Sequence, residues 1–208
     1  METFDQYQNI GGFFMRSKKL QPSLEAAIMA ALALVIDLLP SIKLGPWISI
    51  SFAMVPVFLV SFRWGVKYGM LSGFLWSLLQ VITGDAYFLH WYQFIIEYFI
   101  AFTCIGFAGI FSSSILNSFN NGEKGRGLSI AVFAMFIGTI TRYIWHFYAG
   151  IVFWGEYAPE GMGVWMYSFI VNGGSGFGSF VFCAIVLGAI LSISSRLLTA
   201  NNQYSYNE

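Results

Sequence analysis

The chain has 208 residues, of which 57% are hydrophobic and only 10% charged, and ten bases balance ten acids to a net charge of zero. Soluble domains carry roughly 25% charged residues, and so sparse a charge complement cannot cover a water-exposed surface; the composition excludes a soluble globular domain. With no basic excess there is no electrostatic footprint for nucleic acid.

Six apolar segments follow one another along the chain, each set against the roughly 20 residues that a helical span needs. Arg16, Lys18 and Lys19 precede the first, at about 24–39 and closed by Pro40. No convincing small-residue cleavage site follows them, so this run reads as a membrane helix and not as a signal peptide. Its sequence LEAAIMAALAL holds two small-xxx-small pairs, Ala26/Ala30 and Ala27/Ala31, a spacing that serves internal packing or the approach of a partner helix. The second segment, about 47–62, opens with Trp47 after Gly45-Pro46. The third, about 68–82, carries Ser72, Trp76 and Gln80 at four-residue intervals, a polar-aromatic stripe down one helix face.

The fourth segment, about 93–116, contains Glu97, with Gln93 on the same face four residues earlier. A carboxylate at the centre of a membrane helix costs at least about 2.5–3.5 kcal/mol and usually faces a cavity and a partner. The polar connection 117–127 reads as a flexible loop. The fifth segment, about 128–153, sets Arg142 and His146 four apart beside Trp145, with Trp154 just beyond; a neutral imidazole there can donate one hydrogen bond and accept another. The sixth, 164–198, is long for one span and is expected to begin with a non-helical or interfacial piece. It holds Tyr167, Asn172 and the run Gly173–Ser179. Tyr167 and Asn172 are about 140° apart on an ideal helix, so they meet in one pocket only if it is wide or the helix is interrupted. Gly174 and Gly178 have the spacing of close helix packing. The run lacks the strand and the Gly-Lys-Ser/Thr of a phosphate loop.

The bases fix the expected topology. Arg16, Lys18, Lys19, Arg63, Lys67, Lys124, Arg126 and Arg196 fall on one side of a six-helix arrangement, leaving only Lys43 and Arg142 elsewhere. The positive-inside rule then sets both termini in the cytoplasm, with Asp37, Asp85, Glu156 and Glu160 on the opposite side. The expected organisation is a cytoplasmic N-terminal segment over 1–22, an all-α six-helix membrane domain over 23–198, and a polar tail over 199–208. Cys104 and Cys183 lie in apolar runs without CxxC spacing and read as buried free thiols; no metal cluster is expected. Trp47, Tyr87, Glu97, His146, Trp154 and Tyr167 all fall toward the extracytoplasmic half. A carboxylate ringed by Trp and Tyr suits an organic cation with an aromatic ring, each face attracting the cation by ~0.5–2 kcal/mol.

The segments LEAAIMAALALVI, FLWSLLQ, QFIIEYFIAFTCIGFAGIF, TRYIWHFYAGIVFW and YSFIVNGG carry a resemblance over about residues 20–196. The chain resembles the thiamine-specific substrate-binding subunits (S-components) of energy-coupling-factor (ECF) vitamin transporters. The resemblance implies a six-helix plasma-membrane protein that binds thiamine near the extracytoplasmic side. It also implies docking on a membrane coupling subunit with two ATPases, surrounded by lipid, without a cofactor of its own. The family's pocket positions fall on Trp47, Trp76, Tyr87, Glu97, Tyr98, His146, Trp154, Tyr167 and Asn172. In the resemblance the tryptophans stack on the thiamine rings, Glu97 balances the cation, and His146, Tyr167 and Asn172 contact the aminopyrimidine end. Ala27 and Ala31 would meet the coupling subunit, and Arg142 would orient the pocket or the ligand's hydroxyl tail.

Two other functions are compatible with the residues alone. One is an autonomous secondary transporter for a small aromatic cation, although the acid-base chain expected of a proton-coupled carrier is missing. The other is an intramembrane enzyme using Glu97 and His146, although neither a nucleophile nor a metal cluster accompanies that pair. No Walker motif is present, so ATP hydrolysis would belong to partner subunits.

Overall fold

The computed structural model describes residues 2–39, 42–44 and 48–199, with side chains over 20–39, 42 and 48–198. Six helical rods and one small hairpin follow in order: α1 Glu2–Asp37, β1 Ile42–Leu44, β2 Ile48–Ile50, α2 Val55–Trp64 and α3 Val66–Thr83; then α4 Trp91–Asn120, α5 Lys124–Val152 and α6 Val164–Ile193. A short α7, Arg196–Thr199, ends the described chain. Residues 20–37 of α1, and α4, α5 and α6, are long and apolar enough to cross a membrane. The polar tail from residue 200 and the site candidate Trp47 lie outside the described residues.

Local chemistry explains the breaks. Pro56 sits in the first turn of α2, where its missing N–H costs nothing. Gly65 separates α2 from α3 at φ 78° and Gly84 ends α3 at φ 77°, a left-handed backbone that favours glycine. His90 starts α4 by accepting the Tyr92 backbone N–H on Nδ1 (3.3 Å), while the Gln93 side-chain oxygen accepts the N–H of His90.

α1 runs without interruption from Glu2 through Pro22. Three expectations change. The second segment does not begin as a helix: Ile48–Ile50 pairs antiparallel with Ile42–Leu44, Ile42 opposite Ile50, and helix starts only at Val55. β-branched isoleucines on alternate positions favour the strand. The sixth segment is helical from Val164 instead of opening with an irregular piece, and it stops at Ile193.

The third change concerns the glycine pair. Gly174 and Gly178 approach the hairpin and not another helix: a Cβ on Gly178 would fall 2.5 Å from Ile50 Cδ1, and one on Gly174 3.1 Å from Ile48 Cδ1. Ser175 and Ser179, on the same side of α6, accept the backbone N–H groups of Ser49 (3.1 Å) and Ser51 (3.2 Å). An edge strand needs such partners when it lies away from water. Bare glycine surface and serine hydroxyls together let β2 lie on α6.

Helix contacts elsewhere use small residues, as they must where lipid removes the hydrophobic drive between helices. A Cβ on Gly106 of α4 would sit 2.2 Å from the Met70 backbone nitrogen of α3, so these two backbones touch. On α1, Ala26, Ala30 and Ala33 are fully buried in a helix that packs on α2 and α3. Ala27 and Ala31 lie on its exposed face with Leu24, Ile28 and Val35. Beside these alanines Glu25 pairs with Arg63 of α2 at 3.0 Å, both side chains 13% exposed. Cys104 and Cys183 are buried free thiols, as expected.

Candidate functional site

The functional residues gather where α4 and α6 both depart from the α-helix. Residues Ile95–Ile100 of α4 and Phe169–Gly173 of α6 are π-helical, a widening that recurs at functional sites. The first contains Glu97 and Tyr98; the second contains Asn172. A π turn takes more residues per revolution, so Tyr167 and Asn172 come round toward one side. Both line one cavity of about 330 Å³, together with Glu97, Trp154, Tyr157, Gly150 and Val171. The interruption that this pairing requires is therefore a π stretch just ahead of the glycine run.

Glu97 is held at both oxygens. The Trp154 indole N–H donates to Oε1 at 2.9 Å, and the Gln93 amide donates to Oε2. Gln93 is fully buried and is itself clamped: its amide also donates to the Tyr87 carbonyl (3.2 Å) and its oxygen accepts the Leu89 N–H (3.1 Å). A carboxylate offers about four acceptor positions, so two remain for a ligand. Among the described residues no Lys or Arg forms an ion pair with Glu97. Its carboxyl lies within a candidate membrane span and has no countercharge paired with it among the described residues.

Rings surround this anion. Tyr87 and Trp154 meet at 5.3 Å between centroids, and Trp154 and Tyr157 at 5.5 Å. The Tyr98 hydroxyl accepts the Tyr87 backbone N–H at 2.7 Å and so ties the loop after α3 to α4. Asn172 donates to Ser168 Oγ (3.1 Å), which donates to the Phe147 carbonyl (2.7 Å), fixing α6 to α5. That contact needs Gly150, where a Cβ would lie 2.3 Å from Ser168 Oγ and 2.7 Å from Asn172 Nδ2.

A second cavity of about 240 Å³ shares Val171 and Asn172 with the first and is lined by Asp37, Ser49, Ser51, Arg142, Tyr143, His146, Ser175 and Ser179, among others. Asp37 accepts from Gln80 and, at 3.5 Å, from Ser51. Arg142 lies over Phe102 (4.1 Å), Trp76 (5.1 Å) and Tyr143 (5.5 Å) and donates through Nε to His146 Nε2 at 3.4 Å.

The predicted residues therefore divide. Glu97, Trp154, Tyr167 and Asn172 line the first cavity, with Tyr87 and Tyr98 joined to it by ring contact and hydrogen bond. His146 lines the second with Asn172. Trp76 lines neither: it is fully buried, covered by Phe102 and Arg142. Sequence reasoning did not include Tyr157, Asp37 or Gly150 among the pocket residues. Asp37 had a legible signal, a carboxylate at the end of an apolar run.

A family profile described as thiamine transporter protein (Thia_YuaJ) matches residues 23–199. The chain belongs to the thiamine transporter protein family. Among its relatives is the thiamine transporter ThiT of Bacillus subtilis (strain 168), 39% identical over 188 residues, covering 89% of this chain and 98% of the relative. The thiamine transporter ThiT of Lacticaseibacillus paracasei is 36% identical over 193 residues, covering 91% and 96%. A solved structure of ThiT from Listeria monocytogenes matches with a TM-score of 0.84 at 36% identity, over 87% of this chain and 98% of that one. As a thiamine transporter family member with four long apolar helices, the protein is a multi-pass protein of the plasma membrane and not an enzyme.

Proposed function

We propose that this protein is the thiamine-binding subunit of an ECF-type ATP-driven importer, capturing thiamine in the pocket around Glu97. One observation carries the reading: an unpaired carboxylate, held in place by an indole and a buried amide, lines a ring-walled cavity within the membrane domain. Thiamine is a flat aromatic cation, the ligand for which such a wall is suited. The volume of about 330 Å³ falls at the lower end of the ~300–1,000 Å³ typical of small-molecule sites. Membership of the family supports the choice of thiamine among such cations.

In this reading Glu97 neutralises the positive ligand, and Trp154, Tyr87, Tyr98 and Tyr167 provide ring surface with polar edges. Trp47 completes the aromatic set, and Trp76, packed against Phe102 and Arg142, backs it. Asn172 and His146 read the polar edge of the aminopyrimidine. Six membrane passages with both termini cytoplasmic, a membrane domain over 23–198 and polar segments on either side complete the organisation. The exposed small-residue face at Ala27 and Ala31 supports docking of a coupling subunit, which would link the protein to two ATPases. Isothermal titration with thiamine tests the ligand. Binding with affinity that falls in Glu97→Gln is expected; absence of binding to the folded wild-type protein would overturn the reading.

A further inference from the structure

Among the described residues Arg142 is the one base on the wall of the second cavity, and its surroundings leave it a single directed task. Its guanidinium is sandwiched by the rings of Phe102, Trp76 and Tyr143 at 4.1, 5.1 and 5.5 Å. Asp37 lies on the wall of the same cavity and supplies the opposite charge, its own carboxylate held by Gln80 and Ser51. Rings and charge therefore fix the planar group, and its Nε–H meets Nε2 of His146 at 3.4 Å.

We infer that Arg142 is a positioning residue that selects the Nδ1–H tautomer of His146 and so presents the ring to the ligand as a hydrogen-bond donor. A guanidinium has donors and no acceptor, so the nitrogen facing it must offer a lone pair. In a neutral imidazole the proton then sits on the other nitrogen. Nδ1 of His146 has no hydrogen-bond partner among the described residues, and the residue lines the second cavity, which shares Val171 and Asn172 with the aromatic pocket. A free N–H there matches an acceptor on the ligand, such as a pyrimidine ring nitrogen. The opposite tautomer would set two N–H groups against each other at Arg142 and leave a lone pair for the ligand instead. The ligand half of this inference rests on the proposed function; the tautomer does not.

The chain supplies its own control, because it has two histidines. His90 accepts the Tyr92 backbone N–H on Nδ1, so its proton sits on Nε2, the reverse of His146. Nitrogen-15 NMR of histidine-labelled, ligand-free protein in nanodiscs is expected to resolve one ring of each tautomer. Loss of the Nδ1–H signal in His146→Gln assigns it. Arg142→Met should shift His146 toward the Nε2–H form and weaken thiamine about tenfold, the worth of one hydrogen bond. Arg142→Lys, which retains a cationic donor, should recover the tautomer and most of the affinity. An Nε2–H His146 in the wild-type protein overturns the inference, even if Arg142→Met does not fold. So does a folded Arg142→Met that keeps the tautomer, or that loses it with thiamine affinity intact. Failure of the wild-type protein to bind thiamine sinks the ligand half and leaves the tautomer reading to stand on the NMR result.

Discussion

Replacing Glu97 with glutamine preserves the volume and one acceptor while removing the charge, so it separates electrostatics from shape. Glu97 accepts from Trp154 at one oxygen and Gln93 at the other. A glutamine satisfies only one of these donors and sets its own amide against the second. For a bound cation, two unit charges about 4 Å apart attract by roughly 4 kcal/mol at an effective dielectric constant near 20. Part of this is offset by the cost of stripping water from the ligand. A loss of about 3 kcal/mol remains, in the range of hydrogen bonds to charged groups, or roughly a hundredfold in dissociation constant. Folding should respond in the opposite sense or not at all, because a membrane-embedded anion without a countercharge is costly. Isothermal titration with thiamine, paired with thermal unfolding of the ligand-free proteins, reads both quantities. A variant that melts at or above the wild-type temperature yet binds a hundredfold more weakly is the expected result. Less than a threefold change in affinity would refute the electrostatic account of the pocket.

Other consequences follow from single contacts. Trp154→Phe keeps the ring but deletes the indole N–H that meets Glu97 at 2.9 Å, so thiamine affinity should fall about tenfold, measured by titration. Gly178→Ala places a methyl 2.5 Å from Ile50 Cδ1, whereas a methyl on Gly188 has nothing within 4 Å. The first should lower the melting temperature by the equivalent of about 1–3 kcal/mol of overpacking, and the second should leave it unchanged. Ala31→Leu on the exposed face of α1 should leave thiamine binding intact and abolish co-purification with coupling subunits; retention of the complex would exclude this face as the docking surface.

Much of the membrane architecture could be read from the chain because apolar runs of span length have few other uses. α3, α4 and α5 fall close to their expected bounds. The hairpin was not legible: Ile48–Ile50 is as apolar as the helix that follows, and only contact with α6 decides its conformation. The glycine pair misled for the same reason. A GxxxG spacing states that something comes close, and here the close partner is a strand. Glu97, Trp154, Tyr167 and Asn172, which line the first cavity, were legible as candidates because charged and polar groups in hydrocarbon demand a reason. Tyr157 and Gly150 were not. An exposed tyrosine and a helix glycine are ordinary in a membrane protein until the cavity between them is visible.

The two π stretches connect these points. Each inserts extra residues per turn into its helix, and each begins within a few residues of the groups that line the first cavity. A regular α6 would turn Asn172 about 140° from Tyr167, and one of the two would face lipid, where an unpaired amide is costly. Widening the turn keeps both on the protein side without bending the helix out of the membrane domain. The glycines that follow then let β2 rest on α6, with Ser175 and Ser179 receiving its backbone N–H groups on the wall of the second cavity. Pocket geometry in this protein therefore depends on backbone departures along a helix as much as on the choice of side chains. Inserting one alanine after Ile170 would set Tyr167 and Asn172 six residues apart, about 120° on an ideal helix, and should separate them and abolish thiamine binding, with helical circular dichroism retained; binding that survives the insertion would show that their shared face is incidental.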